Sequence, residues 1–90
     1  MKTKMIVPIN AIYLGDYKIL IEFENKEIKI ADLKYLLDKD LPDFPEIKDE
    51  EYFQKFELDM MGGISWSNGY DIAPDYLYEI SKPASINAVS

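Results

Sequence analysis

Ile64-Ser65-Trp66-Ser67-Asn68-Gly69-Tyr70-Asp71-Ile72-Ala73-Pro74-Asp75-Tyr76-Leu77-Tyr78 is the stretch on which the reading of this chain turns. It holds the only tryptophan of the sequence. Alternation from Ile64 places Trp66 on the same strand face, and a lone tryptophan in a small domain anchors packing. Asn68-Gly69 is a turn pair, because both residues accept positive φ at little cost. Pro74 suits the first position of a helix, where its missing N–H is no loss, and Asp75 sits where the helix dipole favours an acid. Tyr76, Leu77 and Ile80 are then placed to cover a core. Strand, turn and helix within fifteen residues point to an α+β domain.

The stretches before it supply the partners. Met5-Ile6-Val7 and Ala11-Ile12-Tyr13-Leu14 read as a first strand disturbed by Pro8, hence an edge or bulged strand. Gly15-Asp16 turns the chain. Tyr17 to Glu24 alternates, with Ile19, Ile21 and Phe23 on one face and Lys18, Glu22 and Glu24 on the other. Asn25-Lys26 is the hairpin tip, and Glu27 to Ala31 returns with Ile28 and Ile30 expected to face inward. Asp32 reads as the N-cap of a short helix carrying Leu33, Leu36 and Leu37. Pro42 and Pro45 punctuate a loop, and Asp49 caps a second short helix with Tyr52, Phe53 and Phe56 on its apolar side. Phe56 to Met60 alternates as a strand, Gly62-Gly63 turns, and Ile64 to Trp66 runs back. The expectation is one small domain over residues 1–80: an antiparallel meander, a second short strand pair, and two to three short helices. Residues 81–90 read as a flexible tail.

Composition narrows the chemistry. Ninety residues, 48% of them hydrophobic, with 12 aromatics, can bury one core. Cysteine is absent, so packing alone holds it. All ten basic residues are lysine, and histidine and arginine are missing. That removes the ready neutral-pH proton shuttle, imidazole metal ligands and the bidentate guanidinium clamp. A net charge of −7 repels polyanions, so no direct nucleic-acid binding is expected. The lysines and apolar residues at the start resemble a signal peptide, but Pro8, Asn10, Gly15 and Asp16 interrupt the run. No stretch reaches the roughly 18 apolar residues of a membrane span. A cytoplasmic protein is expected.

The acid is concentrated in Asp38–Glu51, with seven carboxylates against two lysines. Asp38, Asp40, Asp43, Glu46 and Asp49 invite a calcium reading. The EF-hand template fails, with Pro42 at its fifth position, Asp43 where glycine is needed and Asp49 in place of the closing glutamate. No metal site and no cofactor are expected. A solvated acidic loop is the plain reading, and a landing area for a basic protein is the functional one. Asp71 and Asp75, with Asp59 across the sheet, are the candidate carboxylate pair, but nothing in the sequence separates their environments. No nucleophile elbow or phosphate-binding glycine pattern is present, so no catalytic residue is assigned. Tyr70, Tyr76 and Tyr78 join Trp66 as the aromatic alternative to a plain core, since tyrosine is favoured at interfaces.

Taken together, these features resemble a family. The Tyr17–Ala31 hairpin, Asp32-Leu33 with its Leu-rich helix, a second short helix near Phe56, and the closing Ile64-x-Trp66-x-Asn68-Gly69-x-Asp71-Ile72-Ala73-Pro74-Asp75-x-Leu77-Tyr78 are similar to the small bacterial family called domain of unknown function 2442. The likeness covers about residues 5–80, with Tyr70 and Asn25-Lys26 as minor departures. It implies a compact α+β domain, sometimes fused to a helix-turn-helix domain and often encoded beside another small protein. Regulation here is accordingly expected to run through a partner. It brings no established catalytic residues.

The expected function is a non-enzymatic interaction or regulatory module, the acidic member of a toxin–antitoxin-like or regulatory pair with a small basic protein. Asp38, Asp40, Asp43, Tyr70, Asp71 and Tyr78 are its expected contact residues. Trp66, Asn68, Gly69 and Pro74 are its structural signature, and self-association through a strand edge is a further expectation. The alternative is a small-ligand domain or enzyme with a pocket beside Trp66, Tyr70 and Asp71.

Overall fold

The computed structural model describes residues 6–60 and 62–84. Two antiparallel sheets and several short helices make up an α+β domain. The larger sheet contains β1 (Pro8–Gly15), β2 (Lys18–Phe23), β3 (Ile28–Asp32) and β7 (Lys82–Pro83), in that spatial order. The smaller contains β4 (Glu57–Leu58), β5 (Ile64–Ser65) and β6 (Asp71–Ile72). Between β3 and β4 lie two 3-10 helices, Lys34–Asp38 and Pro45–Lys48, and α1 (Glu50–Phe53); α2 (Pro74–Ile80) follows β6.

The meander is where the alternation put it. Pro8 opens edge strand β1 opposite Phe23, and the register shifts between Pro8 and Asn10, so the proline costs a bulge and no ladder bond. Met5, read into this strand, lies outside the described residues. The first turn is strained: Gly15, Asp16 and Tyr17 have φ of +96, +54 and +64°. Only Gly15 adopts this region freely. The other two are held by what surrounds them. Glu50 Oε2 accepts from the Asp16 amide at 3.2 Å, the Tyr13 hydroxyl accepts from the Tyr17 amide at 3.1 Å, and Lys34 bridges the Asp16 carboxylate at 3.1 Å. At the second tip Lys26 takes φ +77°, and Asn25 Oδ1 accepts from the Glu27 amide at 3.1 Å. A lysine thus occupies the left-handed position because its asparagine neighbour supplies the local bond.

One face of the large sheet carries the core. Ile19, Ile21, Phe23 and Ala31 are fully buried, joined by Leu33, Leu36, Ile47, Phe53, Ile64, Trp66, Ile72 and Leu77. Ile28 and Ile30 do not face inward, which corrects the expectation for β3. Ile30 pairs with Leu20 and Ile28 with Glu22, on the outer face, and Ile28 is 45% exposed. The inward positions belong to Lys29 and Ala31, opposite Ile21 and Ile19. Lys29 survives there because its ammonium lies 3.6 Å from the Tyr78 ring centroid and donates to the Tyr78 carbonyl at 2.9 Å.

The helices are tighter than the pattern suggested. The segment expected as a helix capped by Asp32 is a 3-10 turn beginning one residue later, with Leu33 at its cap position; Asp32 Oδ1 still accepts from the Lys34 amide at 3.1 Å. Asp49 caps α1 as expected, accepting from the Glu51 amide at 3.3 Å. The expected second strand pair is a three-stranded sheet, because Tyr70-Asp71-Ile72 returns along Ile64–Ser65. Gly63 permits this close return, since a Cβ there would lie 2.4 Å from the Ile72 carbonyl oxygen. Lys82–Pro83, placed in the tail by the sequence, pairs with β3, and Ser81 is buried. Residues 85–90 lie outside the described residues.

The two sheets meet at Trp66 and Phe53. Trp66 is 4% exposed, and its Nε1–H donates to the Phe53 carbonyl at 2.8 Å. The Phe53 ring stands 5.4 Å from Trp66, 4.9 Å from Tyr17 and 5.8 Å from Tyr13. Replacing Trp66 by Phe leaves that buried carbonyl without its donor and is expected to cost about 1–3 kcal/mol. Urea unfolding followed by far-ultraviolet circular dichroism measures this; a loss below about 0.5 kcal/mol would show that the bond is replaceable.

Candidate functional site: an acidic, tyrosine-lined surface

The acidic segment takes its shape from the three-residue repeat of 3-10 helix. In such a helix, side chains three apart stack on one side. Leu33 and Leu36 form one such pair and are buried; Phe44 and Ile47 form the next, half-buried and buried. These four pegs hold residues 33–48 against the core. Between them Tyr35, Leu37 and Leu41 are half-buried, whereas Asp38, Asp40 and Asp43 are exposed. Among the described residues, none of these three carboxylates has a hydrogen bond or ion pair. Nor do three or more Asp or Glu side chains converge in a metal-holding group among the described residues.

Three side-chain contacts lay this segment beside the closing stretch. The hydroxyls of Tyr35 and Tyr76 share a 3.0 Å hydrogen bond. The rings of Phe44 and Tyr70 stand 5.1 Å apart. Asn68 Nδ2 donates to Glu46 Oε1 at 3.0 Å, and this bond is the chief reason the Glu46 carboxyl is held below its ordinary pKa. These contacts bring Tyr35, Phe44 and Glu46 against Tyr76, Tyr70 and Asn68. Asp38, Asp40 and Asp43 lie exposed on the same segment, and Asp71 and Asp75 are exposed on the closing stretch.

Each expected residue can now be placed. Tyr70 is half-buried between Phe44 and Trp66, 5.7 Å from the latter, so its ring belongs partly to the core. Asp71 is exposed, and its carboxylate accepts no hydrogen bond among the described residues, so it braces neither the turn nor the helix start. The turn is braced instead by Asn68 Oδ1, which accepts from the Tyr70 amide at 3.1 Å, with Gly69 at φ +101°. Pro74 is buried at the first position of α2. Tyr78 stands apart from the surface. Its ring packs edge-on to Phe23 at 5.0 Å beneath Lys29, and its hydroxyl donates to Glu27 Oε1. That bond is the main cause of the lowered Glu27 pKa and the raised Tyr78 pKa.

Tyr35, Phe44 and Glu46 are the members that sequence reasoning passed over. The signal was the spacing of three in Leu33/Leu36 and Phe44/Ile47, hidden because a 3.6-residue helix was sought across the first pair. An open cleft of about 580 Å3 is lined by Lys29, Asp75, Tyr76, Tyr78 and Glu79, between α2 and β3. It does not include Trp66, Tyr70 or Asp71.

Among the described residues no helix is long and apolar enough to cross a membrane. A family model described as "Protein of unknown function (DUF2442)" matches residues 8–83. No curated protein and no solved structure matches the chain.

Burial, then the bond to Tyr76, raises the Tyr35 pKa above the ordinary 10.0; burial does the same for Tyr70. Because the folded state holds the proton more tightly than the unfolded chain, this stabilisation is complete below pH 10 and is lost as pH climbs through the raised folded values. Tyr35→Phe is expected to make the fall in melting temperature between pH 9 and 11 shallower (about one residue's share of the alkaline loss). An unchanged profile would remove Tyr35 from the alkaline transition.

Proposed function

The chain belongs to the DUF2442 family, and within it we propose that this protein is a cytoplasmic, non-enzymatic interaction module. It acts as the acidic partner of a small basic protein in a regulatory or toxin–antitoxin-like pair. The observation that carries this reading is the set of three exposed carboxylates without partners, Asp38, Asp40 and Asp43, beside a rim of tyrosines. Carboxylates that stabilise a fold are capped, paired or hydrogen-bonded, as Asp49, Asp16 and Glu50 are here. These three do none of that work, and their mutual repulsion is a cost that a cationic partner would offset.

The aromatic half of the surface supports the same reading. Interfaces favour tyrosine, whose flat ring gives contact area while its hydroxyl stays wet. Tyr76 is 43% exposed, and its hydrogen bond to Tyr35 holds both rings in place before any partner arrives. Pre-organisation of this kind lowers the entropy lost on association. Lysine or arginine chains of a partner would find carboxylates at the edge and ring faces further in. A ligand pocket at Trp66, Tyr70 and Asp71 gains no such support: Trp66 is enclosed by Phe53, Phe56 and Tyr70 with its one donor already used.

The test is association with the product of the gene adjacent to this one, which the proposal expects to be a small basic protein. The D38N/D40N/D43N variant is expected to slow association about tenfold at low salt, with a smaller effect on dissociation, and wild-type association should slow as salt rises. Stopped-flow or surface-plasmon measurements at several salt concentrations read both rates. Association indifferent to salt and to the three neutralisations would contradict the charged-surface reading.

A further inference from the structure

The outer face of the four-stranded sheet has no cover among the described residues. All the helices and the second sheet pack on its other side, and the molecule is only 19 Å through its thinnest dimension. Two layers account for that thickness, since packed layers sit about 10 Å apart. The uncovered face is apolar. Ile12 of β1, Leu20 of β2 and Ile30 of β3 are direct cross-strand neighbours and form its central row. Ile12 is 51% exposed, and Leu14 and Ile28 beside the row are 49% and 45% exposed.

We propose that this face is a homodimer interface, in which two copies pack sheet against sheet about a twofold axis lying along the Ile12–Leu20–Ile30 row. The charges on the face choose the occupant and the orientation. On the central strand, Lys18 and Glu22 flank Leu20 at equal spacing, one on each side, and both point outward with it. A twofold axis along the row reverses the strand direction of the second copy. It therefore sets Lys18 opposite Glu22 of the second copy, and Glu22 opposite Lys18, while Leu20 meets its own counterpart. An axis along the strands would instead oppose Lys18 to Lys18. Only the first arrangement is complementary, and such self-matching is what an isologous contact requires.

The balance of charge over the molecule agrees. The chain carries −7 overall, yet the outward positions of this sheet hold Lys18 and Lys82 against Glu22 and Asp32. Within the strands these charges cancel, and Asp16 in the turn beside the face lies 3.6 Å from the Lys18 ammonium. Face-to-face packing leaves Asp38, Asp40 and Asp43 on the opposite side of each copy. Lys82 falls at the rim, where its ammonium stays in water. The packing is the aligned class of sheet sandwich, with strands about 30° apart because each sheet twists. The inference does not rest on the acidic-surface reading, and either can fail alone.

Sedimentation equilibrium of the full chain across a concentration series tests it with four proteins. Wild type is expected to dimerise. K18E and E22K alone each create two like-charge contacts across the axis and are expected to weaken the dimer at least tenfold. The K18E/E22K double variant, and an equimolar mixture of the two single variants, each regenerate opposite charges at both contacts and are expected to recover most of it. Melting temperatures of the singles show that they fold. A monomeric wild type would overturn the proposal, as would dimerisation that both singles leave unchanged. Failure of both the double variant and the mixture to recover association would overturn the orientation on which it rests.

Discussion

The bond from the Trp66 indole N–H to the Phe53 carbonyl is the constraint on which the rest of the structure depends. Helix α1 is a single turn, so its last carbonyls have no partners within the helix. Buried and unbonded, the Phe53 carbonyl would cost much of what the surrounding apolar contacts contribute. Trp66 satisfies it from the smaller sheet, while the Phe53 ring reaches Tyr13 and Tyr17 on the larger one. Tyr17 in turn donates to the Lys48 carbonyl at 2.7 Å, and Tyr13 donates to Glu50 at 2.6 Å. A chain with no cysteine has no covalent alternative to this knot.

The knot also explains the surface chemistry. With α1 pinned from both sides, the preceding acidic segment is held by the apolar pairs Leu33/Leu36 and Phe44/Ile47 and by contacts to the closing stretch. Asp38, Asp40 and Asp43, between the pairs, make no hydrogen bond or ion pair among the described residues. On the other flank, the larger sheet commits Ile19, Ile21 and Phe23 to the core and leaves Leu20, Ile12 and Ile30 facing out. The molecule thus has two unlike faces. One is acidic and carries tyrosines, the surface proposed for a cationic partner; the other is apolar, the surface proposed for a second copy.

Much of the fold was legible because local chemistry and global packing agree there. Alternation in Tyr17–Glu24, the Asn68-Gly69 turn, Asp49 as a cap and Pro74 as a helix start all stand in the structure as read. The errors share a physical origin. Ile28 and Ile30 looked like core because branched apolar residues in a strand usually are, and Lys29 looked like solvent. The pairing register with β2 reverses both assignments, and the contact with Tyr78 that accommodates the inward Lys29 joins residues 49 positions apart that no local pattern connects. The 3-10 helices escaped notice because Leu33, Leu36 and Leu37 together fit a 3.6-residue period, whereas only Leu33 and Leu36 share the three-residue spacing and are buried. The site was half legible: its acids stand out by composition, but Tyr35 and Phe44 join it only through contacts made after folding.

The central claim is that the Trp66–Phe53 tie makes both sheets one cooperative unit. Wild-type unfolding in urea, followed at once by Trp66 fluorescence and by far-ultraviolet circular dichroism, tests it most directly. Fluorescence reports the smaller sheet at the tie, and the dichroism is dominated by the longer strands of the larger one. The account predicts coincident transitions with one midpoint and one slope. A fluorescence change completed at lower urea than the loss of strand signal would show that the smaller sheet opens alone, and would contradict it.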